Sequence, residues 1–382
     1  MWTELETPRL ILDKTRLEQN AERMTRRAAE LGVALRPHLK TSKSIEVGRI
    51  ATDGSARRIT VSTLQEAEYF ARAGFTDILY ATGITPNKFA RAASIAGRDN
   101  RSELLLVTDS PEMIRHAQAY AEQANITFDF LIEIDCGEHR SGLPVDPAAI
   151  VALGRAIVSS PYTRLKGVMT HAGHSYTSDK RSDVEAIASA ERDAAVTAAA
   201  ALRDARLPCP VVSVGSTPTA LWVDHLEGVT EIRGGIYLFW DLSQLSRHVC
   251  DEGDIALSVL STVIGHNPTG GAILCDAGAL ALSKDIGANR FLPDAGFGYV
   301  CDPDNLKRLG DLSVTGVHQE HGTIAVSDPT WFSRLPVGSQ IRILPNHACL
   351  TAAAHDAYTV MDNGQITETW GRTNGWLNAE QS

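Results

Sequence analysis

The sequence predicts a (β/α)8 barrel followed by an antiparallel β domain. Between residue 14 and about residue 240, eight β-rich runs alternate with amphipathic helical segments. After about residue 250, the β-rich runs are instead separated by Gly, Pro, Asn and Asp, and few helical segments remain. Strands that alternate with helices indicate parallel pairing, whereas strands joined by turns indicate antiparallel pairing. We therefore assign residues 14–250 to the barrel, and residues 1–13 together with 251–382 to the β domain.

The barrel elements follow one another regularly along the chain. A helix over residues 14–32 precedes the first strand, which lies in GVALRPHL. The other seven strands are predicted in RRITVST, DILYAT, ELLLVTD, TFDFLIEID, RLKGVMTHA, PVVSVG and EIRGGIYLF. Segments between them, such as SPEMIRHAQAYAEQA, carry apolar residues at helical spacing. A doubly wound open sheet is the alternative, but such sheets usually have fewer strands, so eight strands favour the barrel.

The second domain is predicted from four β-rich runs. These runs are ALSVLSTVIGH, GAILCDAGAL, DLSVTGVHQEHGTIAV and GSQIRILPNHACLT. The opening run TPRLILD is also strand-like and is a candidate to join them.

Composition excludes several classes of function. The chain has 382 residues, which is too many for one ordinary core, and a net charge of −10, which does not suit a nucleic-acid surface. It has no run of 18 apolar residues that would span a membrane, and no secretory signal is expected at its N-terminus. Its six cysteines lack the spacing of a disulfide scaffold, so we expect reduced thiols and a cytoplasmic location.

Polar residues gather where the barrel strands end, which is where such barrels place their active sites. Lys40 is the first lysine beyond strand one, and Arg36, His38 and Lys43 are close to it in the sequence. Neighbouring positive charges and desolvation lower the pKa of an amine and free it to form a Schiff base. The other polar residues at strand ends are Ser62, Thr63, Asp135, His139, Arg140, His171, His174 and Tyr176.

Glycine and hydroxyl residues follow strands seven and eight, in VGSTPT (Gly215–Thr219) and RGGIY (Gly234–Tyr237). Barrels commonly hold a phosphate at these two positions. Free backbone N–H groups, with the hydroxyls of Ser216 and Thr217, can hold a dianion. Ordinary turns use the same residue types, so these residues alone favour neither interpretation. A phosphate site opposite an imine-forming lysine indicates pyridoxal phosphate.

His347 and Cys349 stand two positions apart in PNHAC. The flanking β-formers predict a strand, on which residues i and i+2 face the same side. An imidazole and a thiol together suit a cation such as zinc, and a catalytic site can leave its other positions to water and substrate. Two buried side chains are the alternative, and the pair alone favours that alternative.

Three other polar segments have either a structural interpretation or two open ones. SDKRSDVEAIASAERD is interpreted as a solvated helix face of mixed charge. Asp276, Ser283 and Asp285 lie in CDAGALALSKD, where turn residues are the default interpretation. His355 and Asp356 follow the His–Cys pair and suit either an outer-shell role or a surface position.

Seven segments of the chain, in order from about residue 7 to about residue 370, resemble one enzyme family. They are TPRLILDKTRLEQNAERM, RPHLKTSKS, IEIDCGEHRSG, THAGHSY, VSVGSTPT, QEHG and PNHAC. The family is the fold type III pyridoxal phosphate enzymes, and within it the group of D-serine dehydratases, D-threo-3-hydroxyaspartate dehydratases and D-threonine aldolases. The resemblance implies an alanine racemase-like barrel, a small amino-acid substrate and a homodimer.

The same resemblance implies roles for individual residues. Lys40 is then the Schiff-base lysine, Arg140 lies near the phenolic oxygen of the cofactor, and Tyr176 is a partner for the pyridine nitrogen. Four residues would hold the phosphate, and two would hold a divalent metal, with zinc expected first and manganese or magnesium as alternatives. The phosphate residues are Ser216, Thr217, Gly235 and Ile236, and the metal residues are His347 and Cys349.

Three differences from the aldolase branch favour a dehydratase. That branch tends to have His-x-Asp, a GGGTGS-like loop and an acidic residue before EHG, where this chain has His347-x-Cys349, VGSTPT and Gln319. We expect a lyase that converts a β-hydroxy D-amino acid to a 2-oxo acid and ammonia. The alternative is an aldolase that cleaves Cα–Cβ, with His321 or a metal-bound water as its base. A non-catalytic cofactor carrier is a third interpretation, but it would need neither the β domain nor the His–Cys pair.

Overall fold

The structure is a computed structural model and describes residues 2–55, 57–97 and 103–377. The chain forms two compact units. The first unit comprises the chain up to Ala21 and Ile236–Asn374, and the second comprises Glu22–Gly235 and the residues from Gly375. The domain boundaries expected from the sequence, after residues 13 and 250, stay predictions. Strand β1 (Arg9–Asp13) and helix α1 (Lys14–Glu30) open the chain.

The second unit contains the eight-stranded parallel barrel that the sequence predicts. Every predicted run overlaps one of its strands, although the first and the last strands are only two residues long. The strands are β2 (Ala34–Leu35), β3 (Arg58–Val61), β4 (Asp77–Gly83), β5 (Glu103–Thr108), β6 (Phe128–Ile134), β7 (Thr163–Thr170), β8 (Val211–Val214) and β9 (Glu231–Ile232). Their order in the sheet is β2-β9-β8-β7-β6-β5-β4-β3.

The barrel closes between its first two strands through a short backbone contact. His38 and Thr60 form a single parallel bridge. The Leu39 N–H donates to the Thr60 carbonyl at 2.9 Å, and the Thr60 N–H donates to the Pro37 carbonyl at 2.8 Å. Because Lys40 follows directly, closure of the barrel also positions the backbone of this lysine.

Within the described ranges, seven helices follow barrel strands along the chain, and several begin at side chains that cap their first N–H groups. Thr63 accepts from the Glu66 N–H, Ser110 from the Met113 N–H and Asp146 from the Ala148 N–H. None of the helices in the described ranges is both long and apolar enough to cross a bilayer. The helices are α2 (Ile45–Ala51), α3 (Leu64–Arg72), α4 (Phe89–Ala96), α5 (Pro111–Ala124), α6 (Pro147–Val158), α7 (Arg181–Asp204) and α8 (Thr217–Trp222).

The barrel buries both an apolar cluster and an ionic one. The apolar cluster comes from β4 to β7 and comprises Leu79, Leu105, Val107, Leu131 and Met169. In the ionic cluster, Arg36 donates to Asp77 at 2.6 Å and to Glu231 at 2.7 Å, and its side chain is only 1% exposed. A buried guanidinium requires such compensation, since a charge without partners is costly away from water.

The first unit contains a nine-stranded sheet, mostly antiparallel. Besides β1, its strands are β10 (Leu257–Asn267), β11 (Ala272–Cys275), β12 (Gly298–Cys301), β13 (Arg308–Val317), β14 (Gly322–Ala325), β15 (Gln340–Pro345), β16 (Ala357–Asp362) and β17 (Gln365–Gly371). Their order across the sheet is β11-β14-β13-β12-β15-β10-β1-β16-β17. Strand β1 is antiparallel to β10 and parallel to β16, so TPRLILD belongs to this sheet as its pattern indicated. The helices are α9 (Leu242–Leu245), α10 (Ala279–Leu282), α11 (Thr330–Arg334) and α12 (Ala348–Ala353).

Candidate active site

Lys40 lies in a turn directly after the bridge that closes the barrel, and its side chain is exposed. His38, two residues earlier, donates its backbone N–H to the Gly234 carbonyl at 2.7 Å, which ties the first strand end to the eighth. Burial lowers the pKa of His38 well below its usual value, and the charges of Lys40 and Arg233 lower it further. A neutral imidazole therefore lies beside the lysine.

Two charges expected to act on Lys40 are compensated elsewhere. The guanidinium of Arg36 is held by Asp77 and Glu231, and the ammonium of Lys43 lies 3.4 Å from Glu66 Oε1. These carboxylates largely neutralise the two positive charges, so their electrostatic effect on Lys40 is small.

The glycine and hydroxyl residues after strands seven and eight come together as one loop cluster. Ser216 caps α8, and its side chain and that of Thr219 exchange hydrogen bonds with each other's backbone. The Thr217 N–H donates to Tyr176 Oη at 3.3 Å, and the Gly235 N–H donates to Thr217 Oγ1 at 3.2 Å. We call Gly215–Thr219 together with Gly235 the phosphate loop.

Two glycines keep the phosphate loop close to neighbouring backbone. Gly215 has φ +128°, and a Cβ there would lie 2.4 Å from the Arg233 carbonyl oxygen. A Cβ at Gly235 would lie 2.7 Å from the His38 carbonyl oxygen. Any side chain would push these segments apart. Backbone N–H groups and hydroxyls clustered around such small residues fit a phosphate ester.

Tyr176 and Arg140, the residues expected near the cofactor ring, differ in their surroundings. Tyr176 places its hydroxyl at the phosphate loop. Arg140 is half exposed, and its guanidinium lies 3.4 Å from Glu138. Their roles towards the cofactor stay predictions.

Two histidines after β7 have unusual environments. His171 Nδ1 lies 3.0 Å from the Gly215 carbonyl oxygen. Burial lowers the pKa of His171 to about 3, and the charge of Lys40 contributes in the same direction. His174 Nδ1 is buried and has no hydrogen-bond partner within residues 2–55, 57–97 and 103–377. A buried nitrogen in this state is what a bound polar ligand would satisfy.

The expectation that His347 and Cys349 lie on a strand is wrong. Strand β15 ends at Pro345, His347 immediately precedes α12, and Cys349 lies in the first turn of that helix. The buried carboxylate of Asp241 accepts the Ala348 N–H at 2.9 Å, which satisfies a donor at the helix start that would otherwise lack a partner. The two side chains still meet, because Cys349 hydrogen-bonds His347.

Asp285, for which a turn position was the default interpretation, contacts His347. Its Oδ2 lies 2.7 Å from His347 Nδ1. Burial alone would lower the pKa of His347, but the hydrogen bonds with Asp285 and Cys349 raise it to about 11. The sequence contained little indication of the contact between Asp285 and His347, because an aspartate 62 residues from its partner resembles any other turn aspartate. His355 instead bonds the Ala281 carbonyl through Nε2, at 3.2 Å.

The donor set of this pair fits a divalent metal. Within the described part of the chain, no three metal-ligating side chains cluster. Two protein donors, one nitrogen and one sulfur, resemble an open catalytic site, in which other positions are left to solvent and substrate. A carboxylate on the other ring nitrogen is the usual second partner of a metal-binding histidine.

Glu191 corrects the interpretation of the segment before it. The mixed-charge run SDKRSDVEAIASAERD was expected to be solvated, yet Glu191 is only 2% exposed. Val184 and Ala188, seven and three residues earlier, are buried on the same helix. The 3.6-residue spacing of these positions indicates a buried face, and it was the signal that could have identified Glu191.

Both units match known families. Residues 12–243 match the alanine racemase N-terminal domain, and residues 256–361 match a putative serine dehydratase domain. The chain is 44% identical to D-threo-3-hydroxyaspartate dehydratase of Delftia sp. (strain HT23), over 97% of this chain and 98% of that protein. It is 33% identical to D-serine dehydratase of Dictyostelium discoideum, over 97% and 98%. It is 28% identical to 3-hydroxy-D-aspartate aldolase of Paracoccus denitrificans (strain Pd 1222), over 96% and 92%.

The fold agrees with solved structures of the Delftia enzyme. One such structure gives a TM-score of 0.94 at 43% identity and covers 98% of this chain and 99% of that one. Structures of two variants of a D-threo-3-hydroxyaspartate dehydratase give the same TM-score and identity. One has a histidine replaced by alanine, and the other has a cysteine replaced by alanine and is in the metal-free form.

Proposed function

Because the chain belongs to the family that joins an alanine racemase N-terminal domain to a serine dehydratase domain, we propose that it is a dehydratase for a β-hydroxy D-amino acid. It would convert this substrate to a 2-oxo acid and ammonia, using pyridoxal phosphate and a divalent metal. The related enzymes, named as dehydratases and aldolases, are lyases. The observation that carries the proposal is sequence identity over nearly the whole chain. This identity is 44% to a dehydratase and 28% to an aldolase.

The substrate class we favour is D-threo-3-hydroxyaspartate, with D-serine and D-threonine as alternatives. The relative named for 3-hydroxyaspartate is 44% identical to this chain, and the relative named for D-serine is 33% identical. All three candidate substrates have the α-amino group, the Cα proton and the β-hydroxyl on which elimination depends.

We assign pyridoxal phosphate to residues at and after the ends of the barrel strands. Lys40 is the proposed attachment point, and Ser216, Thr217, Gly235 and Ile236 would bind the phosphate. When bound, this cofactor supplies an electron sink for the charge that develops at Cα. Lys40 is then the base that removes the Cα proton. Its exposed amine in the turn after the barrel closure, with a neutral His38 nearby, supports that role.

The β domain would hold the metal through His347 and Cys349. When bound, the metal supplies a Lewis acid for the departure of the β-hydroxyl. The two D-threo-3-hydroxyaspartate dehydratase variants change a histidine and a cysteine two positions apart, the second of them in a metal-free form, and His347 and Cys349 have the same spacing. A nitrogen and a sulfur donor favour zinc, with manganese or magnesium as alternatives.

We also propose that the protein is a cytoplasmic homodimer. None of the six cysteines, all of which lie in the described ranges, forms a disulfide, and reduced thiols are what a reducing compartment would maintain. The dimer rests on the family resemblance, and light scattering after gel filtration measures it directly.

Product analysis tests the proposed reaction. The protein is incubated with D-threo-3-hydroxyaspartate, D-serine and D-threonine, with and without a chelator, and both product pairs are assayed. We expect an oxo acid and ammonia, lost on chelation and restored by zinc. Glycine and an aldehyde would instead establish an aldolase. Cofactor binding without turnover of any of the three would establish a carrier.

A further inference from the structure

We propose that Glu191 and Thr219 are positioning residues for the cofactor phosphate. Their side chains accept hydrogen bonds from two backbone N–H groups of the phosphate loop, which leaves the other N–H groups of the loop to point towards a ligand. This inference rests on the proposed function, because it presupposes that the loop binds pyridoxal phosphate. Neither residue touches the cofactor in this proposal.

The Glu191 carboxylate joins three segments of the barrel unit. Oε1 accepts the Ala172 N–H at 3.0 Å and the Gly215 N–H at 2.9 Å. Oε2 accepts the Thr219 hydroxyl at 2.8 Å. One buried side chain on α7 therefore holds the loop after β7, the loop after β8 and the first turn of α8.

The Thr219 hydroxyl connects Glu191 to the backbone of Ser216 through two hydrogen bonds. Since its single proton points to Glu191, its oxygen is free to accept the Ser216 N–H, at 2.9 Å. The same hydroxyl also lies 3.3 Å from the Ser216 carbonyl oxygen. Without the carboxylate, this second acceptor would compete for the proton, and the loop would lose its single arrangement.

The network decides which loop donors are left for a ligand. The N–H groups of Gly215 and Ser216 are used inside the protein. The Thr217 N–H and the Gly235 N–H instead bond hydroxyl oxygens, at 3.3 and 3.2 Å. These are long hydrogen bonds, and a phosphate oxygen is the stronger acceptor. Thr217 and Gly235 are thus the donors that we assign to the phosphate.

An ionised carboxylate suits this position although it is buried. All three partners of Glu191 are donors, and an ionised carboxylate only accepts. The pKa of Glu191 is raised overall, because burial outweighs the opposing effect of these hydrogen bonds and of the charge of Arg233, so the ionised form is inferred from the donors alone. Arg233 is itself 3% exposed and donates to the Ser213 hydroxyl at 2.6 Å.

The experiment compares two ligands that differ only in the phosphate. Affinities of the apo-protein for pyridoxal phosphate and for pyridoxal are measured by absorbance, together with the melting temperature. We expect E191Q, whose amide keeps only one accepting oxygen, and T219V, which has the same shape without the hydroxyl, to bind pyridoxal phosphate about tenfold or more weakly. Affinity for pyridoxal should change by less than about twofold, because that ligand lacks the phosphate.

Two controls separate positioning from general stability. T219S keeps the hydroxyl and should retain the affinity of the natural protein. E185Q changes a half-exposed glutamate on the same helix and should do so as well. An equal loss for both ligands, or unchanged affinity in E191Q and T219V, would overturn the inference. If E191Q does not fold, the affinities of T219V and T219S for pyridoxal phosphate and pyridoxal test the inference without it. A natural protein that binds no pyridoxal phosphate would refute the proposed function instead.

Discussion

His347 Nδ1 and Asp285 Oδ2 lie 2.7 Å apart, which joins the segment before α12 to the loop after α10. The hydrogen bond occupies one ring nitrogen and leaves Nε2 as the nitrogen available to a metal. It also limits rotation of the ring, and metal-binding histidines commonly depend on such a carboxylate.

We therefore predict that D285N weakens metal binding without unfolding the protein. Loss of the carboxylate should cost about 10- to 100-fold in metal affinity, measured by competition with a chromogenic chelator. D328N, which changes an exposed aspartate of the same unit, is the control and should leave the affinity unchanged. If D285N binds metal as tightly as the natural protein while H347A does not bind it, Asp285 has no orienting role.

Lys40 is predicted to be the residue that bonds the cofactor. Borohydride reduction followed by peptide mapping should find the label on Lys40 in the natural protein and no label in K40A. K43A is a close control, because Lys43 lies three residues away and its ammonium is 3.4 Å from Glu66. It should still be labelled at Lys40. Label on any other lysine of the natural protein would reject the assignment.

The buried His171 predicts a loss of stability in acid. Burial and the charges of Lys40, Arg233 and Arg140 lower its pKa to about 3, against 6.5 for the unfolded chain. Between these values only the unfolded state binds the proton, so the free energy of unfolding falls by up to ~1.4 kcal/mol for each pH unit of acidification. Above pH 6.5 both states are neutral, and the effect is absent.

Urea unfolding of H171Q at pH 7, 6 and 5 tests this prediction. The variant should lose stability less steeply than the natural protein as the pH falls from 6.5. H116Q, which changes a half-exposed histidine on α5, should keep the natural slope. Parallel curves for H171Q and the natural protein would mean that His171 is not the group responsible.

Arg36 is predicted to be a major determinant of barrel stability. R36M removes the buried cation between Asp77 and Glu231 and leaves them only the half-exposed Arg58, at 3.1 and 3.6 Å. Removal of one partner from a buried ion pair typically costs ~3–5 kcal/mol. R26A breaks an exposed pair with Glu22 and should cost at most ~1 kcal/mol. Urea denaturation measures both. A loss of similar size in the two variants would contradict the prediction.

Local sequence patterns were sufficient for the architecture. Eight strand runs and TPRLILD were correctly placed, because period-two and helical spacing follow from backbone geometry within a few residues. The pattern failed at His347, where β-forming neighbours predicted a continued strand. There Asp241, more than a hundred residues away in the chain, binds the Ala348 N–H at the start of α12. Local propensity contains no information about such a partner.

The sequence by itself determined the order of strands, the family and the residue types at the strand ends. Only the tertiary structure decided which polar groups meet. It showed that Glu191 lies inside rather than in solvent, that Asp285 bonds His347, and that Arg36 and Lys43 face carboxylates. The physical reason is that burial and hydrogen bonding depend on distances between residues far apart in the chain, whereas periodicity reports only on neighbours.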